Sequence, residues 1–202
     1  MYDEETGSWW SQLFGEAVRG EMEGEKLDKL PSTMTTWAKW KAMHPDTTVY
    51  VKSSIPYRPR FTQESFSTIA AAGDGPLEGN DWVVALEGHV EARAYLARAL
   101  ARTRLVNEYF EGAPILVFLS EDLSTARVLL RNVGERQLTF ALADGDNLRD
   151  EQTGSTWDAI SGLAIEGPLR GERLQPLIST YSLWFAWQKY RPDTVVWEGS
   201  ER

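Results

Sequence analysis

Asp3-Glu4-Glu5-Thr6-Gly7-Ser8-Trp9-Trp10, close to the start of the chain, is met again as Asp150-Glu151-Gln152-Thr153-Gly154-Ser155-Thr156-Trp157. Extended from there, residues 3–50 align with 150–197 at a fixed offset of 147 without a gap, and 21 of the 48 positions are identical. Both copies close on the same tripeptide, Pro45-Asp46-Thr47 and Pro192-Asp193-Thr194. A match this long does not arise from composition and reads as an internal duplication. The offset sets the unit at 147 residues, so the second copy is whole and the first is expected to be incomplete. Its missing body would be 147 less 48, or 99, residues ahead of Asp3. A lone signature appended to one domain is the alternative.

The organisation that follows is a first signature segment at 3–50, a linker at 51–80 and a second, complete unit at 81–197. That unit has a body at 81–149 and its signature at 150–197. The linker rests on three prolines and on Ala70-Ala71-Ala72-Gly73-Asp74-Gly75-Pro76. The expected fold class is α+β, mainly β with short helices, a tandem duplication in which the first unit is incomplete. A chain of 202 residues with 42% hydrophobic and 25% charged content has ample material for a core.

Charge narrows the partners. A net charge of −9 argues against nucleic acid, because phosphate neutralisation needs a basic face. No apolar run approaches the ~20 residues of a bilayer-spanning helix, and Met1-Tyr2-Asp3-Glu4-Glu5 lacks the start of a secretory signal. With no cysteine there are no thiol ligands, disulfides or nucleophilic sulfur.

The body reads as strands. Trp82–Leu86 and Val90–Tyr95 form a hairpin about Glu87-Gly88-His89. Ala94–Leu105, rich in Ala, Leu and Arg, favours a short helix. Pro114–Leu119, Ala126–Arg131 and Gln137–Leu142 are apolar or alternating runs, with a turn at Asn132–Glu135 between the last two. In each signature, Asp-Glu-x-Thr-Gly-Ser is turn chemistry in which short oxygen side chains bond nearby amides. Gly20/Gly24 and Gly167/Gly171 bracket a tight turn. Ser32-Thr33 and Ser179-Thr180 offer N-caps to a helix of about three turns. On it Trp37 and Trp40, or Trp184 and Trp187, share one face. Pro45 and Pro192 end that helix, and a final strand follows.

Asp-x-x-Thr-Gly-Ser-x-Trp, the Gly-x-x-x-Gly step, the Trp-x-x-Trp helix and the closing Pro-Asp-Thr together resemble the domain of unknown function family 3179. Val84-Ala85-Leu86-Glu87-Gly88, Ala92-Arg93-Ala94-Tyr95 and Phe185-Ala186-Trp187 extend the resemblance over nearly the whole chain. It implies a family often exported or lipid-anchored, and so an extracytoplasmic location. It also implies a longer N-terminal body carrying Cys-Pro-x-Cys, an element this sequence does not contain. No activity comes with the resemblance.

The candidate site residues fall in two groups. Asp3, Thr6 and Ser8, with Asp150, Thr153 and Ser155, are turn or ligand residues, and their recurrence in a turn motif favours local hydrogen bonding. Trp9, Trp10, Trp37 and Trp40 are a candidate interaction surface. The chain has nine tryptophans, and eight lie in the two copies, where the simplest reading makes them core. Trp9, whose counterpart is Thr156, is the exception and points to a contact surface. His44 has Arg191 as its counterpart and His89 sits at a turn tip, so neither suggests a metal site. No catalytic constellation, cofactor or metal is expected. The favoured function is a non-catalytic interaction or accessory module, a subunit that packs on a protein partner in a larger, membrane-associated assembly. The alternative is an extracytoplasmic, hydrolase-like enzyme working through the carboxylates and hydroxyls of the two turns.

Overall fold

Ala113–Leu119, the sequence Ala-Pro-Ile-Leu-Val-Phe-Leu, becomes the central strand in the computed structural model, which describes residues 1–51 and 76–199. An apolar run without alternation is what a strand covered on both faces requires. The elements, in chain order, are β1 (Trp9–Ser11), β2 (Glu16–Arg19), α1 (Trp37–Met43), β3 (Trp82–Glu87), β4 (Ala92–Leu96), α2 (Ala97–Thr103), β5 (Leu105–Phe110) and β6 (Ala113–Leu119). They continue with β7 (Ala126–Leu130), β8 (Asn132–Val133), β9 (Arg136–Gln137), β10 (Phe140–Leu142), β11 (Asn147–Asp150) and β12 (Thr156–Asp158). Last come β13 (Leu163–Glu166), β14 (Thr180–Leu183), α3 (Trp184–Tyr190) and β15 (Val195–Trp197). The protein is mainly β, with short helices.

Three sheets stack through the two faces of β6. One has the order β14-β3-β4-β15, one β5-β6-β7, and one β10-β11-β12-β13. All ladders are antiparallel except β15 on β4. Ile115, Val117 and Leu119 of β6 pack with Val84, Leu86 and Tyr95 of the first sheet. Leu116 and Phe118, on the opposite face, pack with Phe140, Leu148, Trp157 and Ala164 of the third. The period of two along each strand thus places each sheet. On the outer face of the first sheet, Val83, Ala85, Ala92 and Ala94 form a floor of small side chains that receives Trp184 and Trp187 of α3. The segment 175–177 runs along β7, with Leu130 N–H donating to the Gln175 carbonyl at 2.8 Å and Leu177 N–H to that of Val128 at 2.9 Å.

Residues 3–50 lie against this stack. Thr125 donates to Thr35 Oγ1 at 2.8 Å, and Lys39 Nζ reaches Asp122 at 2.7 Å and Asp146 at 3.1 Å. Lys29 Nζ meets Glu87 at 2.8 Å, Phe14 stacks on Tyr190 with centroids 4.8 Å apart, and Met43 packs on the core that contains Trp157. The β1–β2 hairpin pairs Trp10 with Ala17 and Ser11 with Glu16, and β12–β13 pairs Trp157 with Ala164 and Asp158 with Leu163. The register shift falls at Trp9/Trp10 in one hairpin and at Thr156/Trp157 in the other, again 147 residues on.

Several local expectations are corrected. The helix expected at Ala94–Leu105 is confined to Ala97–Thr103, because β3 claims Ala94–Leu96 and Arg104 ends the helix in the left-handed region at φ 58°. Leu105–Phe110 is a strand instead. Ser32-Thr33 and Ser179-Thr180 cap no helix. The N-caps are Thr36, whose hydroxyl accepts from Lys39 N–H, and Leu183, while Thr180 begins a strand on β3. Each helix has seven residues, so two turns rather than three. The closing strand forms at Val195–Trp197, and Val49–Val51 joins no ladder among the described residues. Most of the stretch read as a linker lies outside the described residues; of its end, Leu77 is buried beside Trp184. No helix among the described residues is long and apolar enough to cross a membrane.

The two Trp helices differ in burial. Trp184 is 1% exposed and Trp37 is 52% exposed. Trp184→Ala should therefore cost about 3–5 kcal/mol, and Trp37→Ala within about 0.5 kcal/mol, by denaturant unfolding of the isolated chain. Equal losses would contradict the assigned packing.

Candidate functional site

Asp150 is 1% exposed and both its oxygens are engaged. Oδ1 accepts Thr153 N–H at 2.5 Å. Oδ2 accepts the Thr153 hydroxyl at 2.9 Å, Ser155 N–H at 3.2 Å and the Trp157 indole N–H at 2.9 Å. Burial raises the Asp150 pKa, but the hydrogen bonds from Trp157, Thr153 and Ser155 outweigh it and leave the carboxyl below its ordinary value. Asp3, half-buried, makes a similar turn with fewer bonds. Its oxygens accept from Thr6 Oγ1 at 2.5 Å and Glu5 N–H at 3.0 Å, and these two bonds, Thr6 first, lower its pKa. Among the described residues no bond ties Trp10 to Asp3.

The two serines close their turns in the same way. Ser8 and Ser155 are fully buried. Ser8 Oγ accepts Met22 N–H at 3.0 Å, and Ser155 Oγ accepts Leu169 N–H at 3.0 Å. Each lies under a glycine of the next corner. A Cβ on Gly20 would stand 2.6 Å from Ser8 Cα, and one on Gly167 2.7 Å from Ser155 Cα. Both glycines have positive φ, 111° and 89°, so the corner needs glycine for conformation and for space. These hydroxyls are structural ties, and the arrangement offers no exposed nucleophile.

Each Trp helix forms a cavity with the hairpin of the other segment. One, of about 520 Å³, lies between Leu13 and Gly15 of the first hairpin and Ala186 and Trp187 of α3. The other, of about 610 Å³, lies between Ile160 and Leu163 of the second hairpin and Trp40 and Met43 of α1. In sequence the lining pairs at an offset of 147: Leu13 with Ile160, Thr33 with Thr180, Trp40 with Trp187. Glu87 lines the smaller cavity. It accepts Lys29 Nζ at 2.8 Å, Tyr190 Oη at 2.5 Å and Arg191 Nη1 at 2.8 Å. Burial would raise its pKa, but the bonds from Lys29, Tyr190 and Arg191 prevail and hold it at about 2.

Of the four tryptophans read as a candidate interaction surface, Trp9, Trp37 and Trp40 are exposed. Trp10 is half-buried. Trp40 turns toward the larger cavity and donates its indole N–H to Thr47 Oγ1 at 3.1 Å, as Trp187 does to Thr194 at 2.8 Å. Trp37 faces outward, with Lys41 Nζ over its ring at 6.0 Å. Trp9 is also exposed and stacks on Tyr2, with centroids 5.2 Å apart. Sequence reasoning passed over Glu87, Arg127 and Arg173. A charge inside the apolar run Ala126–Leu130 was the available signal for Arg127. No group of three His, Cys, Asp or Glu among the described residues could hold a metal ion.

A family model described as Protein of unknown function (DUF3179) matches residues 1–194. No curated protein and no solved structure matches the chain.

Two measurements follow from this geometry. Asp150→Ala takes the carboxylate away from two buried N–H donors, those of Ser155 and the Trp157 indole, and should cost about 3 kcal/mol, while Asp3→Ala should cost clearly less; equal costs would refute the unequal roles. The Glu87 contribution has the sign of a depressed carboxylate: full above its ordinary pKa of 4.5, and lost as pH falls toward about 2. The stability gap between the wild type and Glu87→Gln should be constant above pH 4.5 and close below it. A gap unchanged down to pH 2 would contradict the cluster.

Proposed function

We propose a binding role without chemistry of its own for this chain, which belongs to the DUF3179 family: an accessory module that docks on a protein partner through the Trp37 face of α1. The observation that carries this reading is the unequal burial of two indoles at corresponding positions, 52% exposed for Trp37 against 1% for Trp184. The gapless alignment, the common hairpin register, the paired serine–glycine corners and the two indole–threonine bonds support a duplicated unit. In the second unit the helix is covered by the small-residue floor Val83, Ala85, Ala92 and Ala94. The first has no such cover among the described residues. A partner presenting a sheet of small apolar side chains is the surface that fits Trp37.

The gain from docking is substantial. An indole buries roughly 150–250 Å². At roughly 25 cal/mol per Å², covering the exposed half of Trp37 contributes about 2–3 kcal/mol. A buried tryptophan in a desolvated pocket is also the commonest kind of interface anchor.

The second reading, a hydrolase-like enzyme, places acid or base chemistry on the Asp-Glu-x-Thr-Gly-Ser turns. The bonding of Asp150 and Ser155 weighs against it. Both are buried and committed to neighbouring amides, hydroxyls and an indole, and the half-buried pair Asp3 and Thr6 has no neighbouring base among the described residues.

A photo-crosslinking residue at position 37, compared with one at the exposed Arg102, tests the docking face in the native host. Position 37 should yield one discrete adduct, mapped to an apolar sheet of small residues, and Trp37→Glu should abolish co-purification with the fold intact. Identical adducts from both positions, or undiminished co-purification of Trp37→Glu, would overturn the proposal.

A further inference from the structure

The larger of the two cavities holds two guanidinium groups and no carboxylate that neutralises them both. Arg127, on the central sheet, and Arg173, beyond the second hairpin, both line it. Arg127 bonds Thr33 Oγ1 through Nη1, but its Nε is buried and has no hydrogen-bond partner among the described residues. Arg173 Nη1 donates to the Ser161 carbonyl at 2.6 Å. Neither arginine forms an ion pair among the described residues. Asp158 faces the same cavity, where its Oδ1 accepts Ser161 N–H at 2.6 Å. Burial lowers the pKa of Arg127, Asp158 raises it and Arg173 lowers it again, with a net lowering.

We propose that this cavity binds a small organic monocarboxylate, its carboxyl group on Arg127 and Arg173 and its apolar part against Trp40. Three observations select that class. The arginines carry +2 and Asp158 −1, with His44 as a further basic group of the lining, so the cavity has an excess of positive charge, and a doubly charged phosphate would lie against Asp158. The planar guanidinium fork matches a carboxylate in two parallel hydrogen bonds. Met43, Ile160, Leu163 and Ile165 join the indole of Trp40 as the apolar part of the wall, beside the polar Thr33, His44 and Ser161, and about 610 Å³ is an ordinary size for a small-molecule site.

The companion cavity shows the same chemistry already completed. There the lining cation Lys29 is met by Glu87 at 2.8 Å, and Glu87 also pairs with Arg191, outside the lining, at 2.8 Å, so the chain supplies its own carboxylate. In the larger cavity that place is left to a ligand. The site is separate from the Trp37 docking face, because Trp37 does not line it.

Calorimetric titration of the whole chain with phenylacetate, phenylacetamide and inorganic phosphate tests the proposal. Phenylacetate should bind at one site and raise Tm. Phenylacetamide, which lacks the charge, should bind about tenfold or more weakly, and phosphate should not compete at equal concentration. Arg127→Met, which keeps the apolar stem, should weaken phenylacetate about tenfold or more. Arg173 is exposed, so Arg173→Met keeps the test valid if Arg127→Met unfolds, and it should weaken binding in the same direction. Equal affinity for the amide, displacement by phosphate, undiminished binding in both variants, or no binding of phenylacetate at ~10 mM would overturn it.

Discussion

Trp184 and Trp187 lie on a floor made by Val83, Ala85, Ala92 and Ala94, and most of the architecture depends on that contact. Indoles are large and flat, so they need a surface of small side chains to meet closely. Once α3 sits there, Thr180–Leu183 is delivered to the edge of β3 and Val195–Trp197 to the edge of β4, and both edges of that hairpin are closed. The inner face of the same sheet then packs on β6, and β6 carries the third sheet on its other side. Residues 150–197 are thereby built into the body rather than attached to it.

The first segment has similar local chemistry without such a floor among the described residues. Its hairpin register, its buried serine under a glycine corner and its indole–threonine bond all form. These are short-range features, and sequence within one segment suffices for them. It is held to the body by polar contacts, Lys29 and Lys39 with carboxylates and Thr35 with Thr125, and by the apolar contacts of Phe14 with Tyr190 and of Met43 with the core. Exposed ion pairs contribute little, so the segment is placed mainly by many small terms. The proposed docking role gives its uncovered indole a use that local structure does not.

What the sequence disclosed follows from range. The 82–96 hairpin, the strands within Ala113–Leu130 and the turn role of Asp150 with Thr153 and Ser155 were legible, because alternation and turn residues act locally. The helix limits were not. Ala94–Leu96 has helical propensity, but pairing with β3 decides its state, and Thr180 looks like an N-cap until β3 claims it. The cavities were beyond reach for a further reason. Arg127 and Arg173 are 46 positions apart in the chain and meet only because the second hairpin packs beside β7. Trp37 and Trp40 share a helix face by spacing, yet one looks outward and the other into the cavity, a distinction set by the packed hairpin rather than by the helix.

The proposed role makes Trp37 an open anchor in the isolated chain and a covered one when the proposed partner docks. Fluorine NMR of 5-fluorotryptophan-labelled protein tests it directly, with Trp37 assigned by its replacement with Phe and solvent contact read from the shift between H2O and D2O. The account predicts a full solvent shift at Trp37 and none at Trp184 in the isolated chain, with the Trp37 shift lost on assembly with the partner. A Trp37 resonance already shielded in the isolated chain, or one that keeps its full shift in the assembly, would contradict it.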